Sequence, residues 1–205
     1  TGERSILWRR GRLEPLAPGE AREACLDDCD LLLCDSHEPA AALVLARAAR
    51  RRGLPVVLDG GTARAGLAEL VPHCSDVIAS AIFAPALTGE PAPARALPAL
   101  AARGPVRVAQ TCGAAGCLAL ADGALVHVPA FAVPVLDTTG AGDAFHGGYA
   151  FARLQGRPWL DALAFAAAVA GLSCRALGGR AGLPDLAEAE ALCRHGARRP
   201  EAPAF

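Results

Sequence analysis

The chain has 205 residues, 53% hydrophobic and 20% charged, which is enough apolar material for one domain to close around its own core. A formal charge of −1 gives no general attraction for polyanions, so neither nucleic acid nor an anionic membrane is an expected partner. The most apolar stretch, 162–174, is too short to cross ~30 Å of hydrocarbon, and the chain opens without the pattern of a secretory leader, so a cytoplasmic address is expected.

In chain order, residues 5–9 around Trp8 read as a strand whose nearest partner is the segment from Leu13. Two apolar runs, 30–34 and 54–58, end in Asp35 and Asp59 and flank a helical pattern over 38–52, which makes a β-α-β unit. That helix carries Pro39 in its first turn and Arg47, Arg50, Arg51 and Arg52 before Gly53, in keeping with the macrodipole and a C′ glycine. The arginines therefore need no anionic ligand. A second unit has a helix over 65–70, a strand over 76–79 and a short helix over 82–87.

A Pro- and Ala-rich link leads to a helix over 94–103 and a strand over 106–109. The runs 117–121 and 124–128 follow, turning through Asp122-Gly123, a strong hairpin signal. From Gly142 the pattern turns helical, over 143–154, 159–176 and 186–195, and the residues from Arg198 read as a loose tail. The alternation predicts an α/β sandwich, a mostly parallel sheet with helices on both faces.

The 8 cysteines form no C-x-x-C pair and lie mostly in apolar runs, so they read as small hydrophobes with no metal assigned. Lysine is absent from the chain, which excludes a P-loop because that motif needs a lysine at the β/γ-phosphates.

Chemistry concentrates in Asp137-Thr138-Thr139-Gly140-Ala141-Gly142-Asp143-Ala144-Phe145, between a strand-like run and an apolar helix. Gly140, Ala141 and Gly142 allow successive backbone N–H groups to face one concavity, and the helix adds the positive end of its dipole, so the turn suits a phosphate. Asp143 beside it could take a proton from an attacking hydroxyl. Two other readings remain open from the residues alone: a capping carboxylate on a tight turn, and a dinucleotide fingerprint, against which Gly147 and Gly148 fall off the G-x-G-x-x-G spacing.

The motif D-T-T-G-A-G-D-A-F resembles the C-terminal signature of the ribokinase/PfkB carbohydrate kinases, and the likeness extends over most of the chain. Thr111-Cys112-Gly113-Ala114-Ala115-Gly116 resembles the family's T-x-G-x-x-G turn beside the nucleotide, and the Ala-rich helix after Trp159 resembles the wall of the adenine pocket. Gly178 through Pro184, with His146, resembles a bacterial subgroup that includes sulfofructose kinase. The resemblance implies a ribokinase-like three-layer α/β/α sandwich, ATP with Mg²⁺ as donor, and a hydroxyl of a sugar or sugar-like acceptor. Carried over, Asp143 is the base, Gly140, Ala141 and Gly142 form the anion hole, Thr111, Gly113 and Gly116 flank the nucleotide, and Asp137 braces the loop.

Two departures accompany it. Relatives carry an N-terminal G-G-x-x-x-N motif and a β-sheet lid; here residues 1–14 look like the last piece of a lid largely absent, 15–197 form the nucleotide-binding and phosphotransfer domain, and 198–205 are a tail. Where relatives carry an N-x-x-E or S-E pair that organises Mg²⁺, Ser80 and Ala81 supply no carboxylate. A family remnant that binds nucleotide without turnover is the alternative function, and a dinucleotide-binding oxidoreductase a more distant one. Asp35, His37 and Asp59 are further candidates for substrate contact at the sheet edge, His146 reads as a structural hydrogen-bonding residue, and an edge strand at 5–9 would suit a homodimer.

Overall fold

The computed structural model describes residue 9 and residues 11–199; the strand expected over 5–9 falls outside them except for Arg9. Six strands form one sheet in the order of the chain: β1 (Leu32–Cys34), β2 (Val56–Gly60), β3 (Asp76–Ala79), β4 (Arg107–Thr111), β5 (Cys117–Ala121) and β6 (Ala124–Val128). β1 to β4 are parallel, and β5 and β6 join antiparallel. The helices are α1 (Pro39–Arg51), α2 (Leu67–Leu70), α3 (Phe83–Thr88), α4 (Pro93–Ala101), α5 (Ala141–Leu154), α6 (Trp159–Ser173) and α7 (Leu186–His195).

Strand order that follows chain order decides the layering. Parallel crossovers are right-handed, so four parallel strands laid down in one direction put every connecting helix on the same face. α1 to α4 accordingly share a core with Val56, Leu58, Val77, Ala79 and Val108. The opposite face, with Val57, Ile78, Ala109, Cys117 and Ala119, is covered by α5, α6 and α7. Adjacent residues of one strand enter different cores, the period-2 alternation that strands impose. The expected three-layer sandwich is present.

Local chemistry accounts for the element ends. Pro39 opens α1, Arg50 and Arg51 close it, and Gly53 follows at φ +75°. Arg51 and Arg52 pair with Glu23 and Asp27, which begin and follow a 3₁₀ turn over Glu23–Leu26, and Arg47 donates to His73, so three of the four arginines are spent within the protein. Asp122 and Gly123 both take positive φ, 49° and 77°, as a two-residue type I′ hairpin requires. Asp185 caps α7 by accepting from the Glu188 N–H at 2.8 Å while the Asp185 N–H donates to Glu188 Oε2 at 3.0 Å, a capping box.

Several boundaries differ from expectation. β2 runs on to Gly60, so Asp59 lies inside the strand, because pairing with Ile78 and Ala79 of β3 continues through it. β4 extends to Thr111, paired with Cys117. α6 stops at Ser173, where the Cys174 carbonyl turns to accept from Leu136 and Asp137. At the start of the expected tail, Arg199 N–H donates to Ala130 O at 2.8 Å and the Arg198 guanidinium sits 3.6 Å over the Phe131 ring. Of the cysteines, Cys74, Cys117 and Cys174 are buried and Cys25 is exposed. Among the described residues no helix is long and apolar enough to cross a membrane.

Candidate active site

The parallel strands all end at one edge of the sheet, and loops at such an edge form ligand sites in open α/β folds. Asp35 follows β1, Asp59 lies near the end of β2, Thr111 ends β4, and α5 begins above them. One cavity of about 460 Å³ lies here, lined by Asp35, Glu38, Asp59, Asp143, His146 and apolar side chains including Leu16, Leu32 and Leu45. Asp143, exposed at the third position of α5, borders it.

The turn before α5 has a defined geometry. Gly140 is its N-cap at φ +73°, ψ +4°. The Ala141 N–H donates to Thr138 O at 3.2 Å, and the Ala144 N–H donates to Gly140 O at 2.8 Å. Between them, the N–H groups of Gly142 and Asp143 belong to the first turn, which a helix cannot satisfy internally. Asp137 lies behind the turn: Oδ1 accepts from Thr139 N at 2.9 Å and Oδ2 from Gly178 N at 2.8 Å. Gly179 packs so closely against Gly140 that a Cβ on Gly140 would come within 2.9 Å of its Cα.

The second loop connects β4 to β5. Thr111 Oγ1 donates to Ala79 O at 3.3 Å, tying it to β3. Cys112 N donates to Gly116 O at 2.7 Å around a 3₁₀ turn over Gly113–Ala115. Gly113 has φ +55° and Gly116 φ +97°; a Cβ on Gly116 would lie 2.1 Å from Val128 O. Thr111, Gly113 and Gly116 thus occupy one loop at the same sheet edge as α5, while Gly140 to Asp143 occupy another.

Electrostatically the cavity is acidic. Burial raises the Asp59 carboxyl above the ordinary carboxylate range; His146 opposes that shift, Asp143 and Asp35 add to it, and His37 opposes it. His146 Nδ1 stands 3.2 Å from Asp59 Oδ2. Sequence reasoning named both residues separately, but their pairing joins strand β2 to helix α5 across a long stretch of the chain and has no local signal. Gly178 and Gly179 were legible as part of a motif, whereas their place behind Gly140 was not. Glu38 read only as a helix start, yet it lines the cavity and accepts from Leu16 N at 2.8 Å.

Among the described residues no three His, Cys, Asp or Glu side chains converge as a metal site. Ser80 commits its hydroxyl to Gly61 O at 2.5 Å, and Ala81 has no ligand atom. The described side chains therefore present no magnesium cage; magnesium bound through nucleotide phosphates and water needs none.

Comparisons agree with this architecture. A model of the pfkB family carbohydrate kinases matches residues 14–186. The chain is 28% identical to the ribokinase of Bacillus subtilis over 194 residues, 93% of this chain and 65% of that protein. It is 28% identical to the Haemophilus influenzae ribokinase, covering 95% of this chain and 66% of that one. It thus spans less than two thirds of these relatives' length. The crystal structure of a putative ribokinase from Agrobacterium tumefaciens superposes with a TM-score of 0.78 at 33% identity, covering 84% of this chain and 58% of the other. The match reaches from before β1 to the start of α7 and takes in both loops at that edge of the sheet, and on that ground the chain belongs to the pfkB family of carbohydrate kinases.

Proposed function

We propose that the chain transfers the γ-phosphoryl group of ATP to a hydroxyl of a sugar or sugar-like acceptor. One observation carries the reading: a carboxylate, Asp143, borders an open cavity at the sheet edge and shares a helix's first turn with unpaired N–H groups. The acceptor would lie in the cavity with its hydroxyl at Asp143. Asp143 accepts the hydroxyl proton as the oxygen attacks the γ-phosphorus, and the bond from that phosphorus to the β-bridging oxygen breaks to release ADP.

Negative charge developing on the transferring group falls against the Gly140-Ala141-Gly142 turn. There the α5 dipole and the N–H groups of Gly142 and Asp143 stabilise it. Asp137 braces the turn by holding the N–H groups of Thr139 and Gly178. Thr111, Gly113 and Gly116 flank the nucleotide, whose magnesium stays on its phosphates. The ribokinase relatives favour a neutral sugar, as do the four carboxylates of the cavity; the subgroup resemblance of residues 178–184 instead points to a sulfosugar.

The test is ADP release from MgATP with a panel of ketoses, aldoses, nucleosides and sulfosugars, comparing the chain with Asp143→Asn. Turnover stimulated by one acceptor and lost in Asp143→Asn, with ATP binding unchanged, is the expected result. ATP binding with no turnover on any acceptor would sink the kinase reading and leave a nucleotide-binding protein.

A further inference from the structure

His146 lies three residues beyond Asp143, one turn further along α5, and is 5% exposed. Its ring reaches oxygens on three different segments. Nδ1 lies 2.7 Å from the Gly142 carbonyl oxygen and 3.2 Å from Asp59 Oδ2, and Nε2 lies 3.1 Å from the Ile78 carbonyl oxygen.

A carbonyl oxygen can only accept a hydrogen bond, so each ring nitrogen facing one must carry its own proton. Neutral imidazole has a single N–H. Either neutral tautomer would therefore turn a ring lone pair onto a carbonyl lone pair inside the protein. A proton on Asp59 does not resolve the conflict: it would make Nδ1 an acceptor and leave the Gly142 oxygen facing a lone pair at 2.7 Å. The doubly protonated ring donates to both carbonyls, and the Asp59 carboxylate 3.2 Å away balances its charge.

We propose that His146 stands as an imidazolium paired with Asp59, and that this pair is the positioning device for Asp143. It fastens the first turn of α5, through Gly142, to β2 at Asp59 and to β3 at Ile78. It also sets the charge that Asp143 experiences. The ionisable groups around Asp59 are His146 and Asp143 from α5, and Asp35 and His37 from the segment after β1. Asp59 alone would place a further negative charge beside Asp143 and raise its affinity for a proton; paired with His146⁺ it adds no net charge.

The role assigned to Asp143 rests on the kinase reading, whereas the state of His146 does not, so two experiments separate them. The first is nitrogen-15 NMR of the histidine rings in the full chain, with His146→Asn to identify the resonance. The expected pattern is a ring with both nitrogens protonated at pH 7. A single neutral tautomer at pH 7 overturns the proposal, whether or not the chain turns over.

The second is the pH profile of kcat/KM with the acceptor found active. His146→Asn leaves Asp59 unbalanced and should move the acidic limb upward by about half a pH unit or more. Adding Asp59→Asn removes the imbalance and should return the limb to its original position. A purely structural role would not give a shift that a second substitution reverses. An acidic limb unmoved in His146→Asn overturns the link to Asp143 even if the ring is doubly protonated.

Discussion

Gly140 and Gly179 stand backbone against backbone, with the place of a Gly140 Cβ 2.9 Å from the Gly179 Cα and 3.3 Å from its carbonyl oxygen. Gly140→Ala meets that contact and also the penalty of φ +73°, about 1–2 kcal/mol by itself. Neither neighbour has a side chain that could yield, so the turn must shift. The substitution is expected to lower stability by about 2 kcal/mol or more and to reduce turnover further. Gly179→Ala meets nothing closer than 3.6 Å and should stay near the parent in both respects. Urea unfolding and steady-state kinetics on the two variants check the asymmetry.

The loop between β4 and β5 offers a second contrast. Gly116→Ala would set a Cβ 2.1 Å from Val128 O and 2.6 Å from Ala130 N, both backbone atoms. A loss of more than about 3 kcal/mol, or no soluble protein, is expected. Gly113→Ala, at φ +55° with open space around it, should cost only about 1 kcal/mol. Thermal melts of the two variants are sufficient, and similar melting temperatures would show that the Gly116 loop is more pliable than its contacts imply.

At the opposite end of the strands, Asp76 is fully buried and accepts from Tyr149 OH and from Ser75 Oγ, each at 2.5 Å, with Arg107 3.3 Å away. Tyr149→Phe removes a donor to a buried carboxylate and should cost about 1–3 kcal/mol. Burial, with Asp76 alongside, pushes the Tyr149 phenol well above the ordinary tyrosine range. The stability this provides is complete below the unfolded value near 10 and is lost as pH rises beyond it. Tyr149 is the chain's single tyrosine, so ultraviolet titration reads it directly. Its ionisation should coincide with alkaline unfolding, and a phenol titrating near 10 in the folded protein would contradict the burial.

Glu188 answers to acid. Its double contact with Arg175, at 2.7 and 2.8 Å, and its bond from the Asp185 N–H hold its carboxyl down to about 2. The contribution is present above the unfolded value of 4.5 and is lost as pH falls from there towards 2. Because the pair is exposed, its weight is small. Glu188→Gln should flatten the slope of stability against pH across that window while leaving neutral stability nearly unchanged. An unaltered acid slope would show that the pair does not persist in solution.

What the sequence revealed follows from the range over which each signal acts. The Asp122-Gly123 hairpin and the span of α7 depend on a few adjacent residues, and both appear where local chemistry placed them. The 3₁₀ turn over Glu23–Leu26 was not legible, since it has no periodicity and is held from outside by Arg51 and Arg52. The signature around Asp143 was visible because turn, helix start and carboxylate are contiguous. The cavity next to it was only half visible: Asp35 and Asp59 read as strand-end carboxylates, but Leu16, Glu38 and the Asp59–His146 contact depend on how β1, β2 and α5 meet. That is information carried by packing, which no short window holds.

The bond from the Gly178 N–H to Asp137 spans 41 positions of the chain and has a consequence during synthesis. α5, with Asp143 in its first turn, is complete well before residues 178 and 179 leave the ribosome. Until then the turn lacks both the donor to Asp137 and the backbone that Gly140 packs against. A nascent chain halted just after α6 would thus hold the sheet and most of its covering helices while the turn before α5 remained unsupported. The support of that turn arrives late in translation, after most of the fold has already formed.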